Sequence, residues 1–158
     1  MDRGLNGVDH RKPLKRVHPF SESGRKMIRI PKLIYLEMIE QAKRESPLEC
    51  CGILGGRNQT VEKAFELQNL DKSPVRYSMS PQEQLKVFEE MEKGAIEMVA
   101  VYHSHTHTIP FPSETDVKLA FYPEVSSIII SLKDKNPIVK AFRIGKEAIY
   151  LEDIEVVP

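Results

Sequence analysis

Apolar and polar positions along the chain change period several times, and each change marks an element. Leu33, Ile34, Met38, Ile39 and Ala42 recur at helical spacing, and Pro31 suits a first helical position, which predicts a helix through about Arg44. CCGILGG then predicts a short buried strand ending in glycines, and the alternating TVEKAFEL predicts its hairpin partner. QNLDKSPVRYS predicts a loop, because a residue before proline is pushed out of the helical region. Ser80 as N-cap, Pro81 at the first position and Glu83 at the third form a capping box opening a second helix. Leu85, Val87, Phe88 and Met91 mark its buried side, and Gly94 is its stop. EMVAVYHSH predicts a strand with Met98, Ala100 and Tyr102 on one face and Val99, Val101 and His103 on the other. SSIIISL has the continuous apolar character of a strand covered on both faces, and IVKAFRI and EAIYLEDIEVV supply two more. Alternating strands and helices predict an α/β domain around a mixed sheet.

A chain of 158 residues is one domain's worth, and 41% apolar with 29% charged residues fits a folded protein. The net charge of zero is unevenly distributed. Residues 1–26 hold seven Lys/Arg against three Asp/Glu. With no interleaved aromatics and no periodicity, this stretch is expected to be a disordered basic leader rather than a nucleic-acid arm, leaving 27–158 as a single domain. No apolar run is long enough to cross a bilayer and no secretory h-region opens the chain, so a cytoplasmic location is expected, with no membrane and no nucleic acid as partners. Cys50 and Cys51 are the only cysteines; as strand neighbours they face opposite ways, so they are expected to be reduced, small buried residues.

Three of the five histidines fall in YHSHTHTIPFPSETD, residues 102–116. His103 and His105, two apart at a strand end, place both imidazoles on one face. Ser113 suits the N-cap of a short helix, with Asp116 one turn further on. Two imidazoles, one carboxylate and a fourth position left to water are the donor set of a catalytic zinc site, since structural zinc recruits thiolates. The spacing alone also fits a histidine-rich surface loop.

The pattern His103-Ser-His105, seven residues, Ser113-x-x-Asp116 resembles the H-x-H-x(7)-S-x-x-D signature of the JAMM/MPN+ metalloproteases, and ECCGILGG resembles that family's glutamate-bearing strand. More loosely, the likeness runs from about Met27 to Ile154. It implies an MPN fold with a deaminase-like three-layer arrangement, one zinc per chain held by His103, His105 and Asp116, Glu49 as general base, and Ser113 as oxyanion donor. Without it, Glu49 reads as a solvated charge at a strand start. The chain departs from the family's Pro after the second histidine, having Thr106 and then His107, so the loop is expected to be less constrained there. His107 is expected to face solvent or substrate rather than to act as a fourth ligand. Asn69 and Tyr77 lie in the loop that flanks the substrate groove in similar proteins, and ordinary loop chemistry explains them equally well.

The family hydrolyses amide bonds beside the C-terminal Gly-Gly tail of ubiquitin-like proteins. The stretch between Asp116 and the next strand is too short for the insertion that holds a second ubiquitin in linkage-specific relatives. The resemblance therefore implies a short prokaryotic-type peptidase acting on a small β-grasp ubiquitin-like or sulfur-carrier protein, with a homodimer left open. The alternative is a non-catalytic MPN scaffold. A deaminase would require H-x-E and P-C-x-x-C, which the chain lacks.

Overall fold

The computed structural model describes residues 16–18 and 26–158. Its elements run β1 (Arg16–His18), β2 (Met27–Pro31), α1 (Lys32–Glu45), β3 (Cys51–Arg57), β4 (Thr60–Leu67), α2 (Pro81–Lys93), β5 (Glu97–His105), α3 (Glu114–Lys118), β6 (Ser126–Ser131), β7 (Ile138–Ile144) and β8 (Ala148–Val157). The sheet order is β1-β8-β2-β4-β3-β5-β6-β7. β1, β2 and β8 are mutually parallel where they pair, as are β2 with β4 and β5 with β6, while β3 is antiparallel to both β4 and β5. β8 pairs with β7 through Ile149–Glu152 and with β2 through Asp153–Val157, so the sheet curls until its ends meet. Within the segment expected to be a leader, Arg16–His18 pair with Ala148–Tyr150; the rest of residues 1–25 lies outside the described residues.

α1 sits on one face of the sheet and touches β2, β4, β6 and β8. Met38, Ile39 and Ala42 pack there with Ile28, Ile30, Leu54, Val61, Tyr102, Ile128 and Ile130. α2 covers the other face, over Cys51, Ile53, Phe65 and Leu67, and α3 joins a third cluster around Ile129, Phe142 and Ile149. Helices therefore flank a mixed sheet on both faces. Cys50 falls in the α1 cluster and Cys51 in the α2 cluster; both are free and buried. Among the described residues no helix is long and apolar enough to cross a membrane.

Several details differ from the sequence reading. Pro31 is the N-cap of α1 and also the last residue of β2, a strand the apolar pattern did not announce. Leu33 and Leu85 are 76% and 59% exposed. At about 100° per residue, Leu33 stands about 140° round the helix from Met38, and Leu85 about 120° from Met91, so neither reaches the buried side. Only half of the α2 capping box forms: Ser80 accepts from the Glu83 amide, but the Glu83 carboxylate accepts from the Gln68 amide, tying the helix start to the loop. Gly94 caps α2 in a right-handed conformation, and the left-handed residue is Ala95, φ 51°. In β5, the register with β3 slips between Leu54 and Gly55, so that Leu54 faces Ala100 and Gly55 faces Met98. The extra residue turns Val99 toward α1 and Met98 toward α2, opposite to strict alternation.

Candidate metal centre and active site

His103 and His105 lie on the last turn of the pleat in β5, beyond the slip, so alternation holds between them and both imidazoles face the α2–α3 side. α3 brings Asp116 to them. Ser113 caps this helix, its Oγ accepting from the Asp116 amide at 3.0 Å while Asp116 Oδ2 accepts from the Ser113 amide at 2.9 Å. The same Oδ2 lies 3.1 Å from His103 Nε2 and 3.1 Å from His105 Nε2, and the two Nε2 atoms are 3.1 Å apart. Both imidazoles and the carboxylate are almost fully buried.

The tautomer of His105 follows from its other nitrogen. Nδ1 is 2.9 Å from the Ile109 carbonyl, which can only accept, so Nδ1 carries the hydrogen and neutral Nε2 presents a lone pair. His103 Nδ1 has no partner among the described residues, so His103 can carry its hydrogen on Nε2 and donate to Asp116, or carry it on Nδ1 and offer a third lone pair to a metal ion beside those of His105 and Asp116. Burial draws His105 down, but the bonds to Asp116 and the Ile109 carbonyl outweigh it and its pKa is raised. His103, more deeply buried, is lowered on balance by desolvation despite its bond to Asp116. Asp116 is pushed up by burial, but its bonds to both imidazoles and to the Ser113 amide hold it well below the carboxylate range. The separations suit an ion with ligands at about 2.0–2.1 Å, which in tetrahedral geometry stand about 3.3 Å apart. Among the described residues this is the one group of three such side chains close enough to share an ion.

Glu49 reaches the site through strand register. Cys51 pairs with His103 in the antiparallel β3–β5 ladder, so the residue two before Cys51 lies level with the end of β5. Ser104, on the opposite face from the histidines, locks this alignment: its Oγ accepts from the Cys50 amide at 2.8 Å and its amide donates to the Cys50 carbonyl at 3.1 Å. Glu49 is 3% exposed, and its Oε2 has no hydrogen-bond partner among the described residues. Burial raises its carboxyl from 4.5 to about 7, with His105 opposing and Asp116 reinforcing the rise. Glu49 is therefore not a solvated strand-start charge.

The loop after β5 is held at Thr106, where a hydroxyl takes over the constraint expected of a proline. Thr106 is buried and its Oγ1 donates to the Pro47 carbonyl at 3.1 Å. With that proton committed, Oγ1 accepts from His107 Nδ1 at 2.8 Å, and the His107 side chain is otherwise exposed. Tyr77 stacks on His103 with centroids 4.5 Å apart and planes 26° apart. A cavity of about 260 Å³ opens beside the histidines, lined by Tyr77, Met79, Val101, Leu119 and Phe121, with His103 and Asp116 at one end. The sequence offered no signal for the roles of Ile109 and Ser104. Nor did it signal the tie made by Thr106, which was expected to leave the loop less constrained.

Comparison with known proteins gives the family and the fold. The model of prokaryotic homologs of the JAB domain matches residues 31–145. The CysO-cysteine peptidase of Mycobacterium tuberculosis is 37% identical over 123 residues, 76% of this chain and 84% of that protein. The desampylase of Pyrococcus furiosus is 38% identical over 84 residues, 53% of this chain and 60% of that protein. Among solved structures, a Desulfitobacterium hafniense protein shares 40% identity at a TM-score of 0.77, over 83% of this chain and 93% of that one. A JAB1/MPN domain protein of Archaeoglobus fulgidus, 18% identical, superposes at a TM-score of 0.54 over 84% of this chain and all of that one, which speaks to the fold. With the family model covering most of the domain and this fold beneath it, the chain belongs to the prokaryotic JAB (JAMM/MPN) family.

Proposed function

We propose that this chain is a zinc-dependent metallopeptidase that hydrolyses the peptide or isopeptide bond following the C-terminal Gly-Gly tail of a small ubiquitin-like or sulfur-carrier protein. The observation that carries the reading is the convergence of His103, His105 and Asp116 at 3.1 Å beside the buried, partnerless carboxylate oxygen of Glu49. The similarity to a CysO-cysteine peptidase and to desampylases supports the substrate class.

His103, His105 and Asp116 would hold the zinc, which when bound supplies a Lewis acid that polarises a carbonyl and acidifies a water. The remaining tasks fall to the protein. Glu49, buried beside the donors and lifted by burial above the ordinary carboxylate range in the metal-free protein, is placed to accept a proton and return it to the leaving amine. Ser113 accepts the Asp116 amide through Oγ, which leaves its own proton free to be donated to a developing oxyanion. The cavity walls of Tyr77, Met79, Leu119 and Phe121 exclude water from an extended tail, and glycines let that tail pass closely by the walls. A reduced state of both cysteines suits action in the cytoplasm.

The test is the metal content of the purified protein and of Asp116→Ala, followed by incubation with a carrier protein bearing an adduct after Gly-Gly. The expected result is one zinc per chain, lost in the variant, and release of the adduct by the wild type alone. Absence of metal after zinc is supplied, or zinc without cleavage of any Gly-Gly adduct, overturns the proposal and favours a scaffold.

A further inference from the structure

The two sides of the site are joined by one side chain that performs no chemistry. Asn69 lies in the loop after β4 and is 5% exposed. An asparagine side chain offers two donor hydrogens and an oxygen with two lone pairs, and here all are used. Nδ2 donates to the Glu49 carbonyl at 3.0 Å and to the Arg76 carbonyl at 3.0 Å. Oδ1 accepts from the Asp71 amide at 3.0 Å and from the Ser78 amide at 3.2 Å.

These partners are not scattered. The Glu49 carbonyl belongs to the residue read as the base, and the Glu49 amide donates to the Ser73 carbonyl, in the same loop, at 2.9 Å. The loop thus grips the Glu49 backbone on both sides while one carboxylate oxygen stays free. Arg76 and Ser78 flank Tyr77, whose ring lies on His103. That stack matters because Nδ1 of His103 is buried without a hydrogen-bond partner among the described residues, whereas His105 is steered by the Ile109 carbonyl. Metal-binding imidazoles are ordinarily oriented through the far nitrogen; for His103 the flat contact with Tyr77 takes that task. Tyr77 and Met79 also line the cavity.

We infer that Asn69 is a positioning residue that holds Glu49 and the ring over His103 in one fixed relation to the cavity wall. The inference rests on the reading of Glu49 as the base.

Two variants test it. Asn69→Ala removes all four bonds. Asn69→Ser retains a hydroxyl able to close the local turn to the Asp71 amide but too short to reach the Glu49 carbonyl, and it carries the test if the alanine variant does not fold. Zinc affinity, measured by competition with a chromogenic chelator, is expected to fall about 10- to 100-fold. In the zinc-saturated protein, kcat on a Gly-Gly adduct is expected to fall about 10- to 100-fold, with KM held within about threefold. Amide hydrogen exchange at Glu49 and Ser78 should accelerate about tenfold or more, with amides of α1 and β6 unchanged. Exchange accelerated uniformly over the molecule, with wild-type kcat per zinc-loaded protein, would reduce Asn69 to a structural residue and overturn the inference. So would unchanged Glu49 exchange in both variants. If the wild type cleaves no adduct, the peptidase reading fails, while zinc affinity and exchange still decide the role of Asn69.

Discussion

Replacing Glu49 by Gln separates two properties of one carboxyl group: the chemistry assigned to it and the cost of burying it. In the metal-free protein, burial raises this carboxyl from 4.5 to about 7. At 1.36 kcal/mol per pH unit, that rise corresponds to about 3 kcal/mol between the two protonation states. Glu49 is 3% exposed, so solvent screening removes little of this. The sign follows from proton binding. Between pH about 4.5 and about 7 the folded state keeps a proton that the unfolded chain has released, so stability falls as pH rises through that window and is flat above it. Glutamine cannot ionise, and any fixed cost of its amide is the same at every pH. The difference in unfolding free energy between Glu49→Gln and wild type should therefore shift in favour of the variant by about 2.5 kcal/mol between pH 5 and pH 8, the rest having been lost below pH 5. Urea unfolding of chelator-treated protein at several pH values measures it. A difference flat across that range would refute the buried, titrating carboxyl, and with it the picture of a base tuned by burial. The same variant, reloaded with zinc, should retain the metal and lose hydrolysis about 10²- to 10⁴-fold.

Three further substitutions probe the supporting structure. His107→Ala should leave zinc content at the wild-type level by elemental analysis, since among the described residues its exposed ring bonds only to Thr106, through Nδ1; loss of metal would make His107 a ligand. Thr106→Val removes the bond to the Pro47 carbonyl and should cost about 1 kcal/mol in urea unfolding, with kcat reduced more than KM because Pro47 lies two residues before Glu49; wild-type values in both would show that the hydroxyl tie is dispensable. Gly52→Ala would set a Cβ 2.2 Å from the Tyr102 ring and 2.5 Å from the Phe65 carbonyl. Tyr102 is fully buried and donates to Gln41, so thermal unfolding should report a loss of about 3 kcal/mol or more; tolerance would mean that the ring can move.

How much of this was legible in the chain depends on the range of each interaction. The clustering of the proposed metal donors was readable because two lie on one strand and the third on a helix whose capping box is local: His103, His105, Ser113 and Asp116 are arranged by pleat and turn geometry within fourteen residues. The helices and the strands from β3 onward followed for the same reason, whereas β1 and β2 did not, and the slips in facing at Met98, Val99, Leu33 and Leu85 arose where a bulge or helical phase, rather than composition, decided the side. Glu49 was different in kind. Nothing local brings it to His105; that takes the pairing of Cys51 with His103 across the intervening chain, secured by Ser104 bonding the Cys50 backbone. A ladder register is a property of two strands, so one sequence supplied the glutamate only through its resemblance to a family. Thr106 makes the converse point. Judged against a family pattern it looked like a lost constraint, because a proline restricts its own φ. The hydroxyl restricts the same loop by reaching a carbonyl fifty-nine residues earlier in the chain. A rigid loop needs a fixed backbone, and either a ring closed on itself or a bond closed on a neighbour fixes it, so departure from a motif at a supporting position changes the means of holding the site and leaves its geometry in place.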